Sequence, residues 1–189
     1  MTTTAHTLLD AEAGSERAIT ATLERFGADA LDLARRAGIR IVPLVRGERY
    51  SDRSQALQRL EIDVDAWPAP PAGLFVVEER TVYLRSRSPM TVAHEFGHAI
   101  DCALGNGVYH SSLDPELRAL FAGAKNFVTP YAATAPDEYF AESLRAYVEV
   151  NDPQSFWPRA TRARLRQYDQ AMYTYLERLF ATAFSGGLA

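Results

Sequence analysis

Apolar residues recur at helical spacing through Leu23, Phe26, Ala30, Leu31, Ala34 and Ala37, in a run interrupted at Gly27 and stopped at Gly38. The period then changes. Residues 39 to 45, IRIVPLV, read as a short strand, and Pro43, which has no N–H to give a ladder, places it at a sheet edge. A helix over Ser51 to Leu60 follows, and WPAPPAG, residues 67 to 73, forms a rigid connector. In GLFVVEERTVYLR, residues 73 to 85, two short strands flank a turn at Glu78, Glu79 and Arg80. The rest is mostly helical, with helices starting near residue 90, at Pro115, near Ala135, and running from Thr161 to Phe184. In the last of these Leu165, Tyr168, Met172, Tyr175, Leu176, Leu179 and Ala183 make an apolar stripe that reads as a core-packing face. Strands gathered early and helices late predict an α+β fold, with a small, mostly antiparallel sheet beside a helical majority. Residues 1 to 14 are small and polar, the expected mark of a flexible N-terminus ahead of one domain over 15 to 189.

Composition narrows the field further. A chain of 189 residues, 47% hydrophobic and 23% charged, has enough apolar surface for one substantial core. Its net charge of −4 gives no basic excess to attract nucleic acid or an anionic membrane surface, so neither is an expected partner. No apolar run reaches bilayer-spanning length. The opening MTTTAHTLLDAEAGSER has neither the basic nor the apolar region of a secretory signal, which makes the cytoplasm the default location, with export by another route or a mature fragment as alternatives. Cys102 is the single cysteine, so an internal disulfide or a multi-cysteine metal cluster is excluded, and any metal must be held by His and carboxylate.

Residues 91 to 101, TVAHEFGHAID, contain His94, Glu95 and His98 as an H-E-x-x-H string. On a helix, positions i and i+4 lie on one face, so both imidazoles can reach one zinc ion, and Glu95 falls where it can take a proton from a metal-bound water. The flanking Val92, Ala93, Phe96, Ala99 and Ile100 describe a buried helix, where a pair of imidazoles needs partners. A catalytic zinc takes three protein ligands, so a third must come from elsewhere. The pattern in which a Gly and a His or Asp follow the second histidine fails, since those positions hold Asp101 and Leu104. Asp101 itself has the spacing of a supporting carboxylate, a structural hydrogen bond or a cap. The remaining source is TAPDEYFAESLRAYV, with Thr134 as N-cap, Asp137 closing a T-x-x-D box, and Glu138 and Glu142 one turn apart. One of these glutamates could bind the metal while the other accepts the N–H of a ligand histidine. Spacing alone leaves a solvated acidic face equally open.

HEFGHAID, DEYFAES about forty residues later, and Tyr131 seven residues before Glu138 together resemble the catalytic core of the lethal-factor-like zinc peptidases, the group of the anthrax toxin lethal factor catalytic domain and the Pro-Pro endopeptidases. The resemblance covers residues 73 to 148. It implies a zincin-like endopeptidase of the gluzincin type acting on peptides or proteins, with one zinc on His94, His98 and Glu138. Glu95 resembles the base, Tyr131 the hydroxyl facing the oxyanion, and Glu142 the carboxylate behind a ligand. Two other functions compete. A cytoplasmic regulatory zinc peptidase that cleaves or senses a repressor also uses an HEFGH-type helix, but pairs it with an E-x-x-A-N segment absent here. A non-catalytic zinc-binding domain derived from a peptidase would have no use for Glu95. Finally, Thr81, Val82, Tyr83, Leu84 and Arg85 precede the H-E-x-x-H helix directly, and are expected to form a cleft-side edge strand that pairs with an extended substrate, overhung by the Glu78 to Arg80 turn.

Overall fold

The structure, a computed structural model, describes residues 5, 8, 9, 16–155 and 159–183. Helices α1 (Glu16–Leu23) and α2 (Ala28–Arg36) are separated by a 3₁₀ turn, Glu24–Phe26, and by Gly27, whose φ of 87° is a left-handed conformation that glycine adopts without strain. The chain then enters strand β1 (Arg40–Pro43). After the outer helices described below come β2 (Gly73–Val76) and β3 (Thr81–Leu84), joined by a tight turn that closes on Arg80 at φ 50°.

The strand order is β1-β3-β2, with β3 parallel to β1 and antiparallel to β2. Two expectations change. The sheet is mixed rather than mostly antiparallel, because β1 pairs with a strand that follows it only after a long excursion. Residues 81 to 84 form the central strand, hydrogen-bonded on both sides, so they are not an edge that could take up a peptide. The turn is equally committed. Glu79 accepts the Ala56 N–H at 2.8 Å and the Tyr83 hydroxyl at 2.8 Å, while Arg80 donates to the Ala37 carbonyl at 2.9 Å. Pro43 does sit in an edge strand, as its missing N–H requires.

Alternation along the strands splits the core in two. Ile41, Phe75, Val82 and Leu84 face the main core, while Val42, Val76 and Tyr83 face a smaller one closed by Tyr50, Ala56, Leu57 and Val64. The lid of that smaller core is α3 (Tyr50–Arg53) and α4 (Gln55–Arg59), one expected helix broken at Ser54, whose Oγ accepts the Leu57 N–H. The segment expected to be a flexible N-terminus is docked wherever it is described. Ala5 and Leu8 are buried in the main core, and Leu9 bridges to Ile41. The other residues of 1–14 lie outside the described residues.

The main core is organised around α5 (Pro89–Leu104), started by Ser88 as N-cap with proline in the first turn. Helices α6 (His110–Leu113), α7 (Pro115–Gly123) and α8 (Pro136–Tyr147) follow, and α5 packs against α8, β2, α1 and α2. The expected long final helix is two, α9 (Arg162–Tyr168) and α10 (Gln170–Thr182). Asp169 divides them, leaving the helical region to cap α10 by accepting the Met172 N–H at 3.0 Å while taking the Tyr139 hydroxyl. Phe184, the expected end, lies outside the described residues.

Candidate metal centre

Helices α5 and α8 cross at Gly97 and Ala141. A Cβ built on Gly97 would lie 2.9 Å from the Ala141 Cα and 3.1 Å from its Cβ, closer than side chains pack. Glycine in HEFGH and alanine in EYFAES therefore let the two backbones touch. That approach carries His94 and His98 on one helix up to Glu138 and Glu142 on the other, four residues whose side chains could not otherwise meet.

Three atoms converge there. His94 Nε2 lies 3.1 Å from Glu138 Oε2, His98 Nε2 lies 3.4 Å from the same oxygen, and the two Nε2 atoms are 3.2 Å apart. A tetrahedral zinc with bonds of roughly 2.0 to 2.1 Å requires ligand atoms about 3.3 to 3.4 Å from one another. The triangle therefore has the dimensions of one face of a zinc tetrahedron. The donors are also poised for a cation. The His94 Nδ1–H meets Glu142 Oε1 at 3.0 Å, which fixes the tautomer and leaves the Nε2 lone pair directed into the triangle. Glu138 Oε2 is buried without a hydrogen-bond donor. Two imidazole lone pairs and a carboxylate oxygen held together repel unless a proton or a metal lies between them.

Glu142 is itself held on every side. Its oxygens accept from Arg145 Nε at 2.9 Å and Nη2 at 2.8 Å, and Oε2 accepts from Thr129 Oγ1 at 2.7 Å. Burial alone would raise its pKa, but the hydrogen bonds from His94 and Arg145 outweigh that and hold it well below the usual carboxylate range. In Glu138 burial again works upward, but the adjacent imidazoles of His94 and then His98 bring it down to about 2. Burial disfavours charge on His94, yet Glu138 and Glu142 raise its pKa to about 10. Glu95 moves the other way. It is buried, and burial pushes its pKa up against the pull of the two histidines, as suits a group that takes up a proton.

His94, one corner of the triangle, lines a cavity of about 310 Å³ together with Gly73, Met90, Glu95, Thr129, Tyr131 and Glu142 among others. The Tyr131 hydroxyl donates to Glu138 Oε1 at 3.0 Å, its ring lies 5.4 Å from that of His94, and 47% of the residue is exposed. On the opposite wall β2 begins. A Cβ on Gly73 would come within 2.5 Å of Glu95 Cγ and 2.8 Å of Thr91 Cγ2, so only glycine lets the strand lie against the helix at Glu95. Edge strand β2, not β3, borders the cavity.

This arrangement sits in a zincin-like α+β fold. The chain is similar in structure to a Pro-Pro endopeptidase from Paenibacillus alvei, with a TM-score of 0.66 and 21% identity over 94% of this chain and 100% of that one. Neither a family model nor a curated protein sequence matches it. The likeness is one of fold. Within it, His94, His98 and Glu138 form a group able to hold a metal ion.

The zincin-like scaffold brings His94, Glu95, Tyr131 and Glu142 to one cavity, sets His98 and Glu138 against His94, and sends Thr81 to Leu84 to the middle of the sheet. Asp101 supports α6 rather than the centre, accepting the Ser111 N–H at 2.8 Å and the Ser111 hydroxyl at 2.5 Å. Thr134 is not the N-cap of α8. That position is Ala135, and the Thr134 hydroxyl donates to the Tyr131 carbonyl at 2.8 Å. Asp137 is thereby released from the expected box and lies with Oδ2 4.0 Å from His98 Nδ1, a buried nitrogen with no partner of its own. Thr129, Arg145 and Gly73 also belong to the site. Arg145 was legible as an i+3 partner of Glu142; Thr129 and Gly73 meet the helices only through tertiary packing, and no local spacing announces them.

Proposed function

We propose that this chain is a zinc-dependent endopeptidase of the gluzincin type, with His94, His98 and Glu138 holding one zinc ion. The observation that carries the reading is the triangle of donor atoms, 3.1 to 3.4 Å on each edge, one corner of which, His94, lines a cavity shared with Glu95, a buried carboxylate with a raised pKa. A closed structural site has no need of Glu95 or of an open side.

When bound, zinc supplies a Lewis acid that polarises the scissile carbonyl. The residues do the rest. Glu95, walled by Gly73 and Thr91, accepts a proton from the attacking water and returns it to the leaving amine. Tyr131 can turn from Glu138 and donate its hydroxyl to the developing oxyanion, staying a donor because burial and then Glu138 keep its pKa raised. Glu142 holds the His94 ring in place, supported by Arg145 and Thr129. An extended substrate laid beside β2 would pair with the free groups of that edge and place a side chain in the cavity lined by Pro71, Met90 and Thr129.

Metal analysis and digestion of a random peptide library test the proposal together. The purified protein is expected to carry about one zinc and to cleave peptides. Glu138→Ala should lose most of the metal, and Glu95→Gln should keep it while losing turnover. Cleavage by Glu95→Gln at the original rate would remove Glu95 as the base, and full zinc in Glu138→Ala would remove Glu138 from the ligand set.

A further inference from the structure

A second cavity, of about 490 Å³, lies between the β1–α3 turn and the segment leading into α5, and its charged walls are Arg46, Glu48, Arg49, Asp65, Arg85 and Arg87. Both carboxylates are already matched. Glu48 accepts the Val45 N–H at 2.9 Å and Arg53 at 3.3 Å, and Asp65 accepts the Tyr50 N–H at 2.9 Å together with Arg85. Arg49 is paired with Asp63 at 2.5 Å. Two guanidinium groups have no carboxylate among the described residues. Arg46 is exposed at the turn, and Arg87 donates one Nη2 hydrogen bond to the Leu44 carbonyl at 3.1 Å while its Nε is buried with no partner. A buried N–H of a cation left unpaired is costly, and a carboxylate oxygen is the group that fits it best.

The cavity also lies close to the metal centre. Its wall residue Arg85 donates its N–H to the Ala72 carbonyl at 3.0 Å, and Ala72 lines the first cavity. From Arg87 to Met90, which also lines the first cavity, three residues span at most about 11 Å. From Met90 to His94 is one helical turn, about 6 Å. An extended peptide at about 3.3 Å per residue therefore crosses from one cavity to the other in about five residues or fewer.

We propose that this pocket receives a carboxylate of the peptide substrate, an Asp or Glu side chain or a free C-terminus, bound by Arg46 and Arg87 while the scissile bond lies at the metal centre. The inference rests on the endopeptidase reading and extends it to selectivity. Charge on the exposed Arg46 attracts the group, and the Arg87 guanidinium, anchored on the Leu44 carbonyl, fixes its position.

The test is a random peptide library digested by the zinc-loaded enzyme and read by mass spectrometry, in one arm with free and in another with amidated C-termini. The expected result is an acidic residue, or the free terminus, enriched at a constant distance of up to about five residues from the cleaved bond. The amidated arm separates the two sources: a preference that survives amidation comes from side chains, and one that disappears comes from the terminus. Arg46→Glu, at an exposed position that leaves the fold intact, should slow cleavage of acid-bearing peptides by about tenfold and turn the preference at that position to Lys or Arg. Arg46→Lys should retain the acidic preference. Cleavage with no acidic or terminal enrichment, or an unchanged preference in Arg46→Glu, overturns this inference and leaves the endopeptidase standing. A library left uncut overturns both.

Discussion

His94 is oriented from behind by Glu142, and the nature of that contact decides which substitution is informative. Glu142→Ala would strand Arg145, which is fully buried, and such an uncompensated charge costs about 3 to 5 kcal/mol, so loss of function would only report unfolding. Glu142→Gln can keep its one amide oxygen on the His94 Nδ1–H and the Arg145 Nε, while its NH2 faces Thr129, whose hydroxyl can accept; it removes the charge that would make the imidazole a stronger donor to a metal. Zinc affinity measured by competition with a chromophoric chelator is expected to fall roughly tenfold to a hundredfold in that variant. At Tyr131 the contrast is between chemistry and binding. Tyr131→Phe is expected to lower kcat by about a hundredfold to a thousandfold with zinc content and KM little changed, because the hydroxyl is needed only once charge develops on the substrate oxygen. A normal kcat would place it outside the reaction. The H-E-x-x-H residues were readable because helical period alone sets them on one face. Glu138 and Glu142 were readable only as a pair. Which one meets the metal is decided by the height at which α8 crosses α5, and the sequence records that crossing only as Gly97 and Ala141.

At the scale of elements, the crossing itself is the most sensitive feature. With Ala141 already 2.9 Å from the position of a Cβ on Gly97, any side chain there pushes backbone against backbone and has no flexible tip to move aside. Gly97→Ala is therefore expected to keep a folded protein with reduced stability, of the order of 1 to 3 kcal/mol as for other overpacked cores, and to lose zinc, since the His94, His98 and Glu138 atoms separate with the helices. Thermal unfolding monitored beside metal content checks it; a variant that unfolds with wild-type Tm and binds a full equivalent of zinc would show that the close approach is not what assembles the site. The errors of the sequence reading belong to this scale as well. Strand existence was visible in β-branched and aromatic runs, whereas strand order depends on partners distant in the chain, so TVYLR looked like an edge when it is the centre. The breaks at Ser54 and Asp169 were hidden because the apolar stripes run straight through them, and only the side-chain oxygens that cap the following helix interrupt the backbone.

For the molecule as a whole, the candidate metal centre is where protons and a bound metal would compete for the same atoms, and the signs can be worked out. His94 has a pKa raised from 6.5 to about 10, so the stability it contributes to the metal-free protein is complete below pH 6.5 and is lost as pH rises through 10. Asp101, pushed from 3.8 up to about 7 mainly by burial, is stabilising as the neutral acid and becomes a growing cost as pH climbs from 3.8 to 7. Glu138, lowered from 4.5 to about 2, acts oppositely, contributing above pH 4.5 and failing as pH falls toward 2. Between pH 6.5 and 10, then, the stability that the His94 proton gives the metal-free protein drains away while the carboxylates remain charged and mutually repelling. On the proposed reading, zinc would take the place of that proton, and would do so more easily as the proton leaves. The difference in Tm between the zinc-loaded and chelator-stripped protein is accordingly expected to be small near pH 5 and to widen steadily toward pH 9, with the stripped form showing the steeper fall. Glu138→Gln, which weakens both the proton clamp and the metal site, should flatten that dependence. A constant Tm difference across this range would mean that metal binding displaces no proton, and hence that His94 does not hold the metal through the Nε2 atom that faces Glu138.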